Sequence, residues 1–178
     1  MRALILADID DLHWRHGPRH ADLIVALGDV ADSVILEAAE ECRASSVFAI
    51  KGNHDRSTTF PSGITDLHLK VVEWRGLTFG GFQGCWKFKP RGHFLYEQSE
   101  VVSLLAAFAA VDVFVSHAAP VLHARDTDVH AGFSAFDRYI GVHQPRWFLH
   151  GHQHVRRTTT VGRTTLRGVY GYEVIELA

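Results

Sequence analysis

Five short apolar runs punctuate the chain: ALILA (3–7), LIVAL (23–27), VFAI (47–50), VFVS (113–116) and WFLH (147–150). They are rich in branched side chains and too short for helices, and polar residues bound them, so each is predicted as a strand buried on both faces. Between them apolar residues recur at helical spacing. Val34, Ile35, Ala38, Ala39 and Cys42 follow a cap expected at Asp32 or Ser33; Val101, Leu104, Leu105 and Phe108 follow Ser99; Phe133, Phe136 and Ile140 run up to Pro145. Strand and helix patterns alternating in this way predict a layered α/β fold. KVVEW and LTFGG, joined at Arg75-Gly76, are expected to pair as a hairpin, and residues 155–177 to form consecutive antiparallel strands turning near Gly162 and Gly168. Three stretches, 54–69, 83–96 and 118–132, lack a period, and loops of that length in a compact domain commonly carry function.

The length of 178 residues suits one domain spanning 1–178. Eighteen Lys and Arg against 20 Asp and Glu leave a net charge of −2, so no global positive field draws nucleic acid or a membrane surface, and any attraction for phosphates must be local. Two cysteines are too few for a disulfide framework and the apolar start is too short for a signal peptide, so a reducing cytoplasm is expected. The unusual number is 13 histidines, the side chain that both metal chemistry and proton transfer near neutral pH use.

In open α/β sheets sites gather outside the carboxyl ends of the strands. Here those ends carry Asp8 and Asp10, then GD with Asp29, then GNHD with Asn53, His54 and Asp55, then SH with His117, and finally HGHQH with His150, His152 and His154. Any one of them could be a cap or a satisfied polar group. Five groups at five successive strand ends point to a built site, and carboxylates crowded beside a buried strand repel one another unless a cation sits among them.

In this order the motifs resemble those of the calcineurin-like metallophosphoesterases, D-x-H, G-D, G-N-H-D, a lone H and G-H-x-H, over Asp8 to His154. The resemblance implies a four-layered α/β/β/α sandwich of two mixed sheets with two divalent metal ions between them. Asp29 would bridge the metals; Asp8, His154 and the residue at position 10 would hold one, and Asn53, His117 and His152 the other. His54 would stay off the metals and protonate the leaving oxygen, oriented by Asp55. Paired divalent ions clamp a phosphoryl group and turn bound water into hydroxide near neutral pH. Oxygen and imidazole ligands suit Mn, taken as the first expectation, and also Fe, Zn or Co. The chain departs from the family at its first element, which is D-x-D, while DLH at 11–13 spells the family's motif three residues late. Asp8 directly follows its strand and is favoured over Asp11 as the ligand there; a carboxylate at Asp10 adds negative charge and favours Mn over Zn.

Further residues are expected around the substrate. Lys87, Lys89 and Arg91 alternate with aromatic residues in WKFKPRGHF, Arg56 follows GNHD as a candidate phosphate clamp, and His123, Arg125 and His130 follow His117. His150 is expected to orient a ligand or the backbone, and His16, His20, His68 and His143 to lie on the surface. The resulting expectation is a metal-dependent phosphoesterase cleaving a small phosphomonoester or phosphodiester. The alternatives are a protein-binding scaffold of the same fold, which has little use for His54, and a nuclease, which the lack of positive balance disfavours. No membrane association is expected, and the oligomeric state is left open.

Overall fold

All five apolar runs form strands in the computed structural model, which describes residues 1–9, 20–125 and 127–177. The strands are β1 (Arg2–Ala7), β2 (Leu23–Ala26), β3 (Ser46–Ala49), β4 (Thr65–Asp66), β5 (Val71–Trp74), β6 (Leu77–Phe82), β7 (Cys85–Trp86), β8 (Leu95–Tyr96), β9 (Val113–Ser116), β10 (Trp147–His150), β11 (Arg157–Val161), β12 (Thr164–Gly168) and β13 (Gly171–Glu176). The helices are α1 (Asp32–Cys42), α2 (Gln98–Leu105) and α3 (Ser134–His143), with one 3₁₀ turn at Val121–His123.

One large sheet has the order β13-β1-β2-β3-β4 and the other β11-β12-β10-β9-β6-β5, while β7 and β8 pair in parallel as a small third sheet. Both are mixed: β1, β2 and β3 run parallel with β13 antiparallel to β1, and β6, β9, β10 and β12 run parallel between antiparallel edge strands β5 and β11. The alternation within β1 shows why its sequence is apolar throughout. Ala3, Ile5 and Ala7 face the second sheet, where they meet a core containing Phe79, Val113, Val115 and Leu149. Leu4 and Leu6 face outward, under Ile35, Ala38 and Cys42 of α1. On the far side Phe114 and Phe148 are covered by Val101 and Leu105 of α2 and by Phe136, Tyr139 and Ile140 of α3. The layers are therefore α/β/β/α, as expected.

Three local expectations are corrected. Neither Asp32 nor Ser33 caps α1; Ala31 occupies the cap, and the Asp32 carboxylate instead accepts a 2.7 Å bond from the buried Lys51 ammonium. Helix α2 begins at Gln98, before Ser99, because Glu97 and Glu100 close a reciprocal capping box. The tail turns at Gly162 as expected, but β13 leaves β12 and crosses to β1 in the other sheet. Burial explains the crossing: Val169 is 1% exposed in the core between the sheets, where Ile175 and Leu177 join it.

Candidate metal centre

The carboxyl ends of β1, β2, β3, β9 and β10 meet at one edge of the sandwich, and the backbone there is held out of its ordinary conformations. Asp8 (φ 55°), Asp29 (φ 53°), His152 (φ 63°) and His154 (φ 50°) all lie in the left-handed region. Such residues cost about 1 kcal/mol or more each and persist where surrounding bonds over-determine them. Those bonds are present: Asp8 N–H donates to Gly28 O, Ile9 N–H to Asp29 O, and His152 N–H to Asp8 Oδ2 at 2.8 Å. Gly28 (φ +92°) is required by contact as well as by angle, since a Cβ there would lie 2.5 Å from Gly52 N and 2.8 Å from His117 Nδ1.

The ligand atoms follow. Asp29 accepts the His54 N–H at Oδ1 (2.8 Å) and turns Oδ2 toward His117 Nε2 at 3.3 Å. His117 is fully buried, and its Nδ1 lies 2.9 Å from Leu27 O, which can only accept. Nδ1 therefore carries the proton and Nε2 is left facing Asn53 Oδ1 (3.1 Å) and Asp29 Oδ2. His152 is fixed in the same manner: its Nε2 donates to Val129 O at 2.9 Å, which leaves a lone pair on Nδ1. Asp8, His117 and His152 each offer one ligand atom within 4.8 Å of the others. His154 Nε2 stands 3.5 Å from Asp8 Oδ1, and its ring stacks on Tyr170 at 5.0 Å.

The electrostatics fit a cation. Asp8 Oδ1 is buried with no hydrogen-bond partner among the described residues, an arrangement that costs free energy unless a positive charge completes it. Burial lowers the proton affinity of His117, yet Asp29 and Asp8 reverse that and hold it at about 9. A proton on Nε2 thus relieves the same crowding of oxygens that a metal would. Burial also raises the Asp29 carboxyl, but the His117 imidazole outweighs it and leaves Asp29 well below the usual carboxylate range. Burial and the neighbouring His117 push His152 down to about 3, so it is a neutral imidazole with a free lone pair. The contact with Asp8 raises His154. Two carboxylates, an amide oxygen and three imidazoles suit borderline divalent ions.

Asp8, Asp29, Asn53, His117, His152 and His154 thus converge, whereas Asp10, with Asp11 and His13 of the competing register, lies outside the described residues, as does His16. The His54 side chain is 60% exposed, with Nδ1 3.8 Å from Asp29 Oδ2. Asp55 applies Oδ2 to two backbone N–H groups, Gly52 at 2.7 Å and Asp29 at 3.0 Å, and burial raises its carboxyl above the ordinary value. Arg56 lines an open groove of about 690 Å³ with His54, Asp55, Ser57 and Lys51. The His130 ring reaches the ligands, 5.1 Å from that of His152 and 6.0 Å from that of His154. Lys87, Lys89 and Arg91 follow β7: Lys87 pairs with Glu97 at 3.2 Å, Lys89 lies over Phe88, and Arg91 is exposed.

Two histidine expectations change. His123 does not face a substrate opening; it is buried, with Nδ1 2.6 Å from His150 Nε2. His68 is no surface residue: it packs edge-on against Phe82, and burial lowers it to about 4. Pattern reading singled out neither Lys51 nor Gln153 nor Tyr170. Lys51 had a signal, a charged residue placed directly after the apolar run VFAI.

Comparison with known proteins agrees with the fold. The chain shares its fold with the protein TT1561 of Thermus thermophilus, at 14% identity and a TM-score of 0.65, over 99% of each chain. It shares it also with a phosphopantetheinyl hydrolase from Mycobacterium tuberculosis (13% identity, TM-score 0.56, 95% of this chain and 89% of that one). A third likeness is to Vps29 of Entamoeba histolytica complexed with zinc (13%, TM-score 0.51, 96% and 74%). Comparison with curated proteins gives no significant match. The sequence profile of the calcineurin-like phosphoesterases, however, matches residues 5–156, a span that contains every described candidate ligand from Asp8 to His154, and the chain belongs to that family.

Proposed function

We propose that this protein is a metal-dependent phosphoesterase that hydrolyses a small phosphomonoester or phosphodiester at a dinuclear centre, with Mn as the first candidate metal. The observation that carries the reading is the buried cluster of Asp8 Oδ1, which has no hydrogen-bond partner among the described residues, and His117 Nε2 wedged between Asn53 Oδ1 and Asp29 Oδ2. Asp8, Asp10 and His154 would hold one ion; Asn53, His117 and His152 the other; Asp29 would lie between them. Bound there, divalent ions supply Lewis acidity toward a phosphoryl oxygen and lower the pKa of water.

The chain's own residues supply the remainder. Leu27 O and Val129 O fix the ring tautomers of His117 and His152 that present lone pairs. His54, tied to Asp29 through its own N–H yet exposed at its ring, donates a proton to the leaving oxygen. Asp55 holds the Gly52 and Asp29 backbone that carries this pair. His130, beside the rings of His152 and His154, and Arg56, in the groove with His54, would bind phosphate oxygens. Two buried free cysteines suit a reducing cytoplasm, and no described helix is long and apolar enough to cross a membrane.

The test is hydrolysis of nitrophenyl phosphate and bis(nitrophenyl) phosphate with added Mn; no Mn-dependent turnover of either ester contradicts the reading. His54 is tested through the leaving group. With chemistry rate-limiting, His54→Ala should keep its metals and lose about a hundred- to ten-thousand-fold on an alkyl phosphate ester. It should lose far less on a nitrophenyl ester, whose leaving group departs without a proton. Equal losses on both esters would remove His54 from proton donation.

A further inference from the structure

The loop after His117 is fastened to the turn between His152 and His154 by a residue without a role so far. Gln153 is 3% exposed, and both ends of its amide are used on that loop: Oε1 accepts the Arg125 N–H at 2.8 Å and Nε2 donates to His130 O at 2.9 Å. Thr127 sets the ring of His130. Its Oγ1 accepts the His130 N–H at 3.3 Å and lies 3.0 Å from His130 Nδ1, so one hydroxyl engages both the backbone and the ring of His130. With Nδ1 engaged by Thr127, Nε2 is the ring nitrogen left to meet a ligand, and the tautomer in which the Thr127 hydroxyl donates to Nδ1 puts the ring proton there. The ring stands beside those of His152 and His154 and is only partly buried.

We propose that Gln153 is the positioning residue for substrate binding: it holds His130 so that the Nε2–H donates to a non-bridging oxygen of the phosphate group. The proposal rests on the phosphoesterase reading for the place of the phosphate. A buried glutamine suits the task because it offers one donor and one acceptor without charge, and the loop presents one carbonyl and one N–H to match. Gln153→Glu keeps the acceptor for Arg125 but sets an oxygen against the His130 carbonyl; Gln153→Met keeps the volume and removes both bonds.

The experiment measures inorganic phosphate binding to the Mn-loaded chain by calorimetry in wild type, Gln153→Glu, Gln153→Met, His130→Ala and the double variant Gln153→Glu/His130→Ala, together with Mn content and steady-state kinetics. Each single variant should weaken phosphate about tenfold, the effect of one lost hydrogen bond to a charged group. The double variant should be no weaker than His130→Ala, because Gln153 acts through His130. KM should rise with kcat nearly unchanged, and bound Mn should equal that of wild type. Multiplied losses in the double variant, or Mn lost from Gln153→Met, would overturn the proposal and make Gln153 a support of the metal turn. A wild type that hydrolyses esters but binds phosphate no more tightly than His130→Ala overturns this proposal alone. Phosphate binding through His130 without hydrolysis overturns the phosphoesterase reading alone.

Discussion

Asp8 concentrates the conflict between stability and function at the residue scale. Its Oδ2 is satisfied by the His152 N–H, its Oδ1 by no hydrogen bond among the described residues, and its backbone is left-handed. In the metal-free chain the charge of this group is offset by His154, whose Nε2 stands 3.5 Å from Oδ1, and by His117, which Asp8 helps to keep protonated. Asp8→Asn should therefore weaken Mn binding at least about tenfold, as the loss of a charged ligand requires, and shrink the rise in unfolding midpoint that Mn gives the wild type. Thermal unfolding and calorimetric titration of the same variant check both halves, and an unchanged Mn affinity would remove Asp8 from the ligands. His13→Ala should weaken Mn less, because Asp8 alone directly follows β1; equal severity would favour the DLH register. The candidate ligands were readable in the sequence because Asp and His are conspicuous at the ends of apolar runs. Gln153 and Tyr170 were not, since an uncharged amide and a tyrosine among strand residues carry no pattern of their own.

At the scale of elements, the strands were legible where both faces are buried, because nothing polar interrupts them; the crossing of β13 was not, because a strand's sequence does not state its partner. The junction of β3 with α1 was hidden for a related reason. Lys51 is 2% exposed, lies 3.8 Å from the Phe60 ring centre and meets only a three-quarters buried Asp32 in the first turn of α1. Removing Asp32 strands a buried ammonium, whereas removing Lys51 leaves a carboxylate that water still reaches. Asp32→Ala should thus cost about 3 kcal/mol, and adding Lys51→Met should recover most of it. Urea unfolding of the two variants decides; a double variant as unstable as Asp32→Ala would mean that the ion pair is not what holds this end of the helix.

For the whole molecule, the buried histidines set how stability responds to pH. Burial lowers His68 and His123 to about 4 and His150 to about 3, so between pH 6.5 and 4 the unfolded chain takes up protons that the native chain refuses. Stability should fall as the pH falls through that window, by about 1.4 kcal/mol per unit for each such proton. His117 works in the opposite window: the native chain keeps its proton up to about 9, so the stability it contributes is lost as the pH rises from 6.5 toward 9. The metal-free chain should therefore be most stable near pH 6.5. His68→Gln should flatten the acid side alone; an unchanged slope in urea unfolding between pH 6.5 and 4.5 would contradict the assignment.

If the six converging residues hold metal ions for phosphoester hydrolysis, Asp29 is the one whose loss both ions should feel. Its two oxygens face His54 N–H and His117 Nε2, and no other described carboxylate reaches both. The decisive measurement is Mn content and Mn-dependent turnover of bis(nitrophenyl) phosphate in Asp29→Ala, with circular dichroism as the control for folding. The account predicts a folded variant that retains at most one ion and loses at least about a thousandfold in turnover, since a metal site without its shared ligand cannot clamp a phosphoryl group. A folded Asp29→Ala chain that still binds Mn and hydrolyses the ester at the wild-type rate would contradict it.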